Sequence, residues 1–383
     1  MYLTLKTTLS LRRNTPTYWH ASIIACNYRS ESRTARPMID VTLVTCRFTS
    51  LLIGLLIFQI AAAADPRKII VASGDPQRLN WLREAVTGSN VTLESAGSLV
   101  ELRKAVVDAD ALIGPCDASA IMAGKKLHWV QTSGVGVEEC LAIPAIHDGH
   151  IILTNVPRVN AATVAEHTMA LMLAVARQIP AFVRRQRDGT WSETPPAHMA
   201  SLEGKTLLIV GLGSNGTEIA SRAQAFHMRI IGIRKERGEK PAFVDYVGKP
   251  EELPALVERA DFIVNSTPLT RETTGLFNAA LLARMRRGAF FFNVGRGKSV
   301  VTEDLIAALR SGRIAGAGLD VVDPEPLPKD SPLWKMPNVL ITAHVGDESE
   351  QKEERSWQVM RENLRRYAKG EELLTVVDVR RGY

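Results

Sequence analysis

The chain has 383 residues, 45% of them hydrophobic and 23% charged, an ordinary globular composition with room for two domains. Its net charge of +6 does not mark a nucleic-acid binder. The first 64 residues hold seven Lys/Arg against Glu31 and Asp40, so the rest is close to neutral, and no basic stripe with interleaved aromatics is present. The four cysteines, Cys26, Cys46, Cys116 and Cys140, form no C-x-x-C pair, so neither a zinc nor a dithiol redox motif is expected. Cys116 and Cys140 read as ordinary buried thiols.

Residues 1–64 read as a leader rather than as part of the fold. Residues 1–37 carry no periodicity. Arg47, the apolar run Leu51–Ile60 and the alanines before Asp65 follow the order of a secretory signal peptide, with Met38 a natural start. The 17 uncharged residues Phe48–Ala64 also reach the lower limit for a membrane anchor. The expectation is an exported or periplasmic protein, with a membrane-anchored form, or a cytoplasmic one with a spurious leader, as the alternatives. Membrane contact is expected through the leader alone.

From residue 65 the pattern alternates. Lys68–Ala72, Val91–Leu93, Ala111–Ile113 and Trp129–Gln131 read as strands, with helices over Pro76–Val86 and Leu99–Val107. A glycine loop, Ser133-Gly134-Val135-Gly136, follows the fourth strand. Asn155–Pro157 precede a long helix from Ala161 to about Arg177. A second series has strands at Leu207–Val210, Arg229–Ile233, Phe262–Asn265, Ala289–Val294, Gly316–Leu319 and Val339–Thr342, and Glu353–Tyr367 is a closing helix. The expected fold is therefore α/β: two Rossmann-like, doubly wound parallel-sheet domains with a cleft between them.

Gly211, Gly213 and Gly216 stand at G-x-G-x-x-G spacing directly after the buried strand Leu207–Val210 and before a helix over Thr217–Phe226. In that context the motif marks a dinucleotide site. The first glycine permits the turn, the second lets backbone approach a pyrophosphate, and the third lets helix and strand pack closely. The helix N-terminus then presents free N–H groups to the phosphates.

Three further residues stand at or just beyond strand ends, where open α/β sheets gather ligands: Arg296 in Asn-Val-Gly-Arg-Gly, Glu325 in Asp-Pro-Glu-Pro, and His344 in Thr-Ala-His. An arginine clamps a carboxylate through two parallel hydrogen bonds. Histidine is the usual proton donor near neutral pH. A carboxylate on its other nitrogen fixes the tautomer. Together they suit reduction of a 2-oxo acid beside a nicotinamide.

These motifs and their order resemble the D-isomer-specific 2-hydroxyacid dehydrogenase family over about residues 66–370. Matching segments include Asn155-Val156-Pro157, Val164-Ala165-Glu166-His167, Gly211–Gly216, Thr267-Pro268-Leu269-Thr270, Asn293–Gly297, Gly318–Pro326 and Thr342-Ala343-His344. The resemblance implies an NAD(P)-dependent reductase of a small 2-oxo acid, glyoxylate- or hydroxypyruvate-like. It implies a catalytic Arg296–Glu325–His344 set, with backbone N–H groups near Val135 and Gly136 on the substrate carboxylate. It implies cofactor contacts from Thr168, Ser214, Asn215, Thr267, Val294 and Asp320, and a homodimer as the default. It also implies a discontinuous substrate domain, 65–160 with 345–383, around a nucleotide domain, 161–344. The alternatives on the same fold are a dinucleotide-sensing, corepressor-like binding protein and a formate-dehydrogenase-like oxidation; the latter calls for Gln where Glu325 stands.

The chain departs from the family pattern in three places. The acid that ends the second strand of an NAD-type site is replaced by Arg234, with Lys235 and Arg237 beside it, which points to NADP in preference to NAD, with NAD still able to bind. Val301 stands where an acidic or amide residue is common, with Thr302 expected to cap the next helix. Glu138 stands where Asp is common in the glycine loop.

Overall fold

The computed structural model describes residues 65–236 and 238–383; the expected leader and Arg237 lie outside the described residues. The first sheet holds β1 (Arg67–Val71), β2 (Val91–Ser95), β3 (Ala111–Ile113), β4 (Trp129–Gln131) and β5 (Ile152–Thr154), parallel throughout and ordered β2-β1-β3-β4-β5. Its crossovers carry the helices α1 (Pro76–Ala85), α2 (Leu99–Ala105), α3 (Ala118–Ala123), α4 (Glu138–Leu141) and α5 (Pro144–His147). Side chains alternate between two cores. Ile70, Leu112 and Val130 face one, and Ile69, Val71, Ala111, Ile113 and Trp129 face the other. Burial on both faces is why these strands read as unbroken apolar runs.

Next come α6 (Ala161–Ala176) and α7 (Ile179–Arg187). The second sheet holds β6 (Thr206–Val210), β7 (Arg229–Ile233), β8 (Tyr246–Gly248), β9 (Phe262–Asn265), β10 (Ala289–Asn293), β11 (Ile314–Leu319) and β12 (Val339–Ile341). It is also parallel, ordered β12-β11-β10-β9-β6-β7-β8. Its helices are α8 (Ser214–Gln224), α9 (Leu253–Leu256), α10 (Ala279–Arg284) and α11 (Thr302–Arg310). Leu208, Val210, Ile263 and Phe291 pack on one face; Leu207, Ile209, Val264, Phe290 and Phe292 pack on the other, against Val164, Met169, Met172 and Val175 of α6. The last helix, α12 (Lys352–Lys369), returns to the first sheet. There Tyr367 stacks on Trp129 at 4.7 Å, and the Arg67 guanidinium donates to the carbonyls of Tyr367 and Ala368 at 3.0 and 2.8 Å.

Several expectations need correcting. The second sheet has seven strands where about six were expected, and the first gains β5. Both unexpected strands are three residues long and lie at sheet edges, too short for a periodic signal. The helix after the glycine motif begins at Ser214, so Ser214, Asn215 and Gly216 form its first turn. Thr302 does not cap α11: the cap position is Val301, and the Thr302 hydroxyl donates to the Asp323 carbonyl at 2.9 Å. Cys116 and Cys140 are not free thiols but a disulfide, with Cα atoms 5.1 Å apart. Their loops meet because β3 and β4 are neighbours in the sheet.

Candidate active site

The chain runs β6, β7, β8 in one direction and then crosses to β9 on the other side of β6. The carboxyl ends of β6 and β9 therefore flank the topological switch point, where a crevice must open. The glycine turn sits there. Gly211 has φ +102°, and a Cβ on it would lie 2.8 Å from Ser266 and 2.9 Å from the Thr267 nitrogen. Gly213 caps α8 with no side-chain bond and has open space where a Cβ would stand. By contrast α1, α2, α3 and α10 are capped by Asp75, Ser98, Asp117 and Asn278. Open backbone and uncapped N–H groups at the start of α8 fit a dinucleotide pyrophosphate.

A cleft of about 630 Å³ lies between the two sheets' loops. Val135, Gly136, Asn215, Val294, Arg296, Asp320 and His344 all line it. Glu325 joins them through His344: its Oε2 lies 2.8 Å from His344 Nδ1, and its Oε1 accepts from the Val322 N–H at 3.0 Å. The Glu325 bond leaves His344 Nε2 with no protein partner among the described residues.

His344 adopts φ 55°, a left-handed conformation that a non-glycine residue holds only when its surroundings enforce it. Asp320, at the end of β11, supplies the enforcement. Its carbonyl accepts the His344 N–H at 2.8 Å, and its carboxylate accepts the Val345 and Gly346 N–H groups at 3.1 and 3.0 Å. The Thr342 hydroxyl also donates to it at 2.6 Å while accepting from His167 Nε2 at 2.9 Å. Burial pushes the Asp320 carboxyl upward, but His167, whose Nε2 also lies 3.4 Å from Asp320 Oδ1, and these hydrogen bonds outweigh it and hold the group down at about 2.

The Arg296 backbone is set by a buried amide network. Asn265 Nδ2 donates to Asn293 Oδ1 at 2.9 Å and Ser299 Oγ at 2.6 Å, and Asn293 Nδ2 and Ser299 Oγ both donate to the Arg296 carbonyl, at 3.0 and 2.6 Å. The guanidinium then reaches the first domain. Its Nε donates to Glu138 Oε1 at 2.8 Å and its Nη1 to the Gly295 carbonyl at 2.7 Å, with Nη2 lying over Gly136. The glycine loop Ser133–Gly136 is itself tied by Asn155 Nδ2, which donates to the Val135 carbonyl at 2.8 Å.

The family model "D-isomer specific 2-hydroxyacid dehydrogenase, NAD binding domain" matches residues 169–346. A glyoxylate reductase of Korarchaeum cryptofilum is 37% identical over 301 residues, which is 76% of this chain and 86% of that protein. The chain belongs to the D-isomer specific 2-hydroxyacid dehydrogenase family. A glyoxylate/hydroxypyruvate reductase B of Citrobacter koseri is 36% identical over 274 residues, 70% of this chain and 84% of the relative. The crystal structure of a D-isomer specific 2-hydroxyacid dehydrogenase from Xanthobacter autotrophicus Py2, in complex with NADPH and MES, is similar at a TM-score of 0.70 and 31% identity, covering 84% of this chain and 100% of that one. The chain is accordingly an NAD(P)-dependent oxidoreductase acting on a small 2-hydroxy or 2-oxo acid.

Not every expected residue of this dehydrogenase reaches the cleft. Thr168 is fully buried, and its hydroxyl donates to the Val164 carbonyl at 2.7 Å. It lies on the same side of α6 as Val164, Leu171, Met172 and Val175, the side packed against the second sheet. Thr267 is nearly buried, its hydroxyl donating to Asn265 Oδ1 at 2.8 Å. Arg234 follows β7 as expected, but its guanidinium folds back on the Gly238 and Glu239 carbonyls of its own loop, and Lys235 lies 4.0 Å from Glu272. No motif or spacing in the chain marks the Glu138–Arg296 bridge, the Asn265–Asn293–Ser299 network or the disulfide. The substitution of Glu138 for the usual Asp was the nearest signal.

Proposed function

We propose that the chain reduces a glyoxylate- or hydroxypyruvate-like 2-oxo acid, with His344 as general acid and Glu325 as its orienting carboxylate. The observation that carries this is the 2.8 Å His344–Glu325 contact opening onto the same cleft as Arg296. Arg296 Nη2 and the Val135 and Gly136 N–H groups hold the substrate carboxylate, because a guanidinium and two amides offer donors only. When bound, the nicotinamide supplies the hydride. His344 as imidazolium gives its Nε2 proton to the developing alkoxide and ends neutral, and Glu325, accepting from Nδ1–H, stabilises the imidazolium donor. Gly211, Gly213, Ser214, Asn215 and Gly216 would hold the dinucleotide pyrophosphate, with Val294, Thr267 and Asp320 nearer the nicotinamide end.

NADP is the preferred cofactor on this reading. Support comes from the sequence of this strand end: no acid ends β7, and Arg234 and Lys235 follow it directly, at the position where an arginine accommodates a 2′-phosphate. The segments 65–160 and 345–383 form the substrate domain and 161–344 the nucleotide domain. A homodimer would cover Ile179, Phe182, Val183 and Trp191, the last of them 92% exposed. Export through the leader is supported by the Cys116–Cys140 disulfide, a bond that persists in oxidising compartments.

The deciding experiment is turnover of glyoxylate, hydroxypyruvate and pyruvate with NADPH and NADH, followed at the nicotinamide absorbance. His344→Ala should lower kcat on the order of 10²–10⁴-fold, the usual worth of a general acid. Near-normal turnover in that variant would remove His344 from the role.

A further inference from the structure

The charged side chains that line the cleft are mostly engaged. Arg296 is bound by Glu138, His344 by Glu325, Lys352 by Asp347 and Glu348 at 3.0 and 2.6 Å, and Asp320 by the His344 loop. Arg158 also lines the cleft, and its guanidinium has no hydrogen bond or ion pair among the described residues. It stands in the turn Pro157–Asn160 that leads into α6, two residues beyond Val156, whose N–H donates to the Gly134 carbonyl of the glycine loop at 3.3 Å.

Its backbone sets it apart from an ordinary surface arginine. Arg158 has φ 72°, in the left-handed region where a side chain with a Cβ is disfavoured. Glycine or asparagine would fit this turn with less strain. A long cation held in a strained turn, at the mouth of a cleft that already contains a carboxylate-binding arginine, has the features of a second anion contact. Glu139 is the other exposed charge at the cleft without a side-chain partner, but it sits in the first turn of α4, where an acid is at home.

We propose that Arg158 is a specificity-determining residue that binds a second anionic group, carboxylate or phosphate, at the far end of the 2-oxo acid. This rests on the reading above that a 2-oxo acid is reduced in this cleft, and it moves the preferred substrate from glyoxylate itself to 2-oxo acids with two acidic groups. Arg296 takes the carboxylate beside the reacting carbonyl, and Arg158 takes the distal one.

The test measures kcat/KM for glyoxylate, oxaloacetate and 3-phosphohydroxypyruvate with the full chain and with Arg158→Gly and Arg158→Asn. Both replacements suit a positive φ, so folding is retained. The unmodified chain should prefer at least one dianionic substrate to glyoxylate. In both variants the ratio of that kcat/KM to the glyoxylate value should fall about tenfold or more, the worth of one charge-assisted contact. Whether oxaloacetate or 3-phosphohydroxypyruvate loses more tells carboxylate from phosphate. Glyoxylate turnover with an unchanged ratio, or with neither dianion preferred, overturns this inference and leaves the reductase reading intact. No turnover of any 2-oxo acid overturns both.

Discussion

Gly136→Ala separates the substrate loop's role in positioning Arg296 from its role in folding. A Cβ at position 136 would lie 2.7 Å from Glu138 Oε2 and 3.3 Å from Arg296 Cζ, with Arg296 Nη2 closer still. Ordinary contact begins at 3.4 Å, so Glu138 must retreat by about 0.7 Å and the guanidinium tip by more. Both groups are the ends of flexible side chains, and Gly136 is not in the positive-φ region, so the backbone accepts alanine. Folding stability should therefore change little, and the lost chain entropy of glycine can even raise it by about 0.4–1 kcal/mol. Catalysis should suffer. A misplacement of roughly 1 Å in a positioning group can cost about 10²-fold, or about 2.7 kcal/mol of transition-state binding. The assay is kcat/KM for glyoxylate with NADPH, beside a thermal melt of the same preparation. A variant with unaltered kcat/KM would falsify the assignment of Arg296 to the substrate carboxylate. A loss of activity that merely followed a loss of folding would refute the geometric argument.

Other outcomes follow from the same geometry. Arg234→Asp should reverse the cofactor preference toward NADH; the comparison of kcat/KM for the two cofactors checks it, and equal efficiencies in the unmodified chain would already remove the idea. Reducing the Cys116–Cys140 bond, which closes a loop of sequence separation 24, should cost about 3 kcal/mol in a denaturant titration with and without dithiothreitol. The Asp320 carboxyl is held at about 2 against an ordinary 3.8, so its stabilisation is complete above pH 3.8 and lost as pH falls through about 2. The difference in unfolding free energy between the unmodified chain and Asp320→Asn should therefore shrink by about 2 kcal/mol over that window, and a pH-independent difference would show that the carboxylate is not held by charge.

Much of the fold was legible because its strands are buried on both faces. Leu207–Val210 and Phe290–Phe292 each feed two cores, so no polar residue interrupts them. Tyr246–Gly248 feeds an edge, where three residues with an exposed tyrosine carry no pattern. The candidate site was legible in its pieces and not in its joins. Arg296, Glu325 and His344 announce themselves by residue type and by position after strands. The bridge from Arg296 to Glu138 spans 158 residues of sequence and exists only because two domains face each other. The disulfide fails for the same reason: no spacing rule pairs Cys116 with Cys140 until β3 and β4 lie side by side. Thr168 shows a limit of the same kind: a family motif does not say which way a helix is turned, and here the residue is buried, with its hydroxyl on the Val164 carbonyl.

Asp320 shows why residue type alone underdetermines role. A carboxylate at the end of a strand in a dinucleotide domain reads as a cofactor contact, and it lines the cleft with Asn215 and Val294. Yet its Oδ1 accepts from the Thr342 hydroxyl and the Val345 N–H, and its carbonyl takes the His344 N–H. Those bonds hold His344 at φ 55°, and so fix where its imidazole meets Glu325. The two roles are compatible, because Oδ2 accepts one protein hydrogen bond, from the Gly346 N–H, and an ionised carboxylate oxygen has capacity for a second. An acid at this strand end can therefore tie the histidine loop with one oxygen and leave the other to share with a ligand. An asparagine cannot do both, since its NH₂ would face either the loop's donors or the cleft.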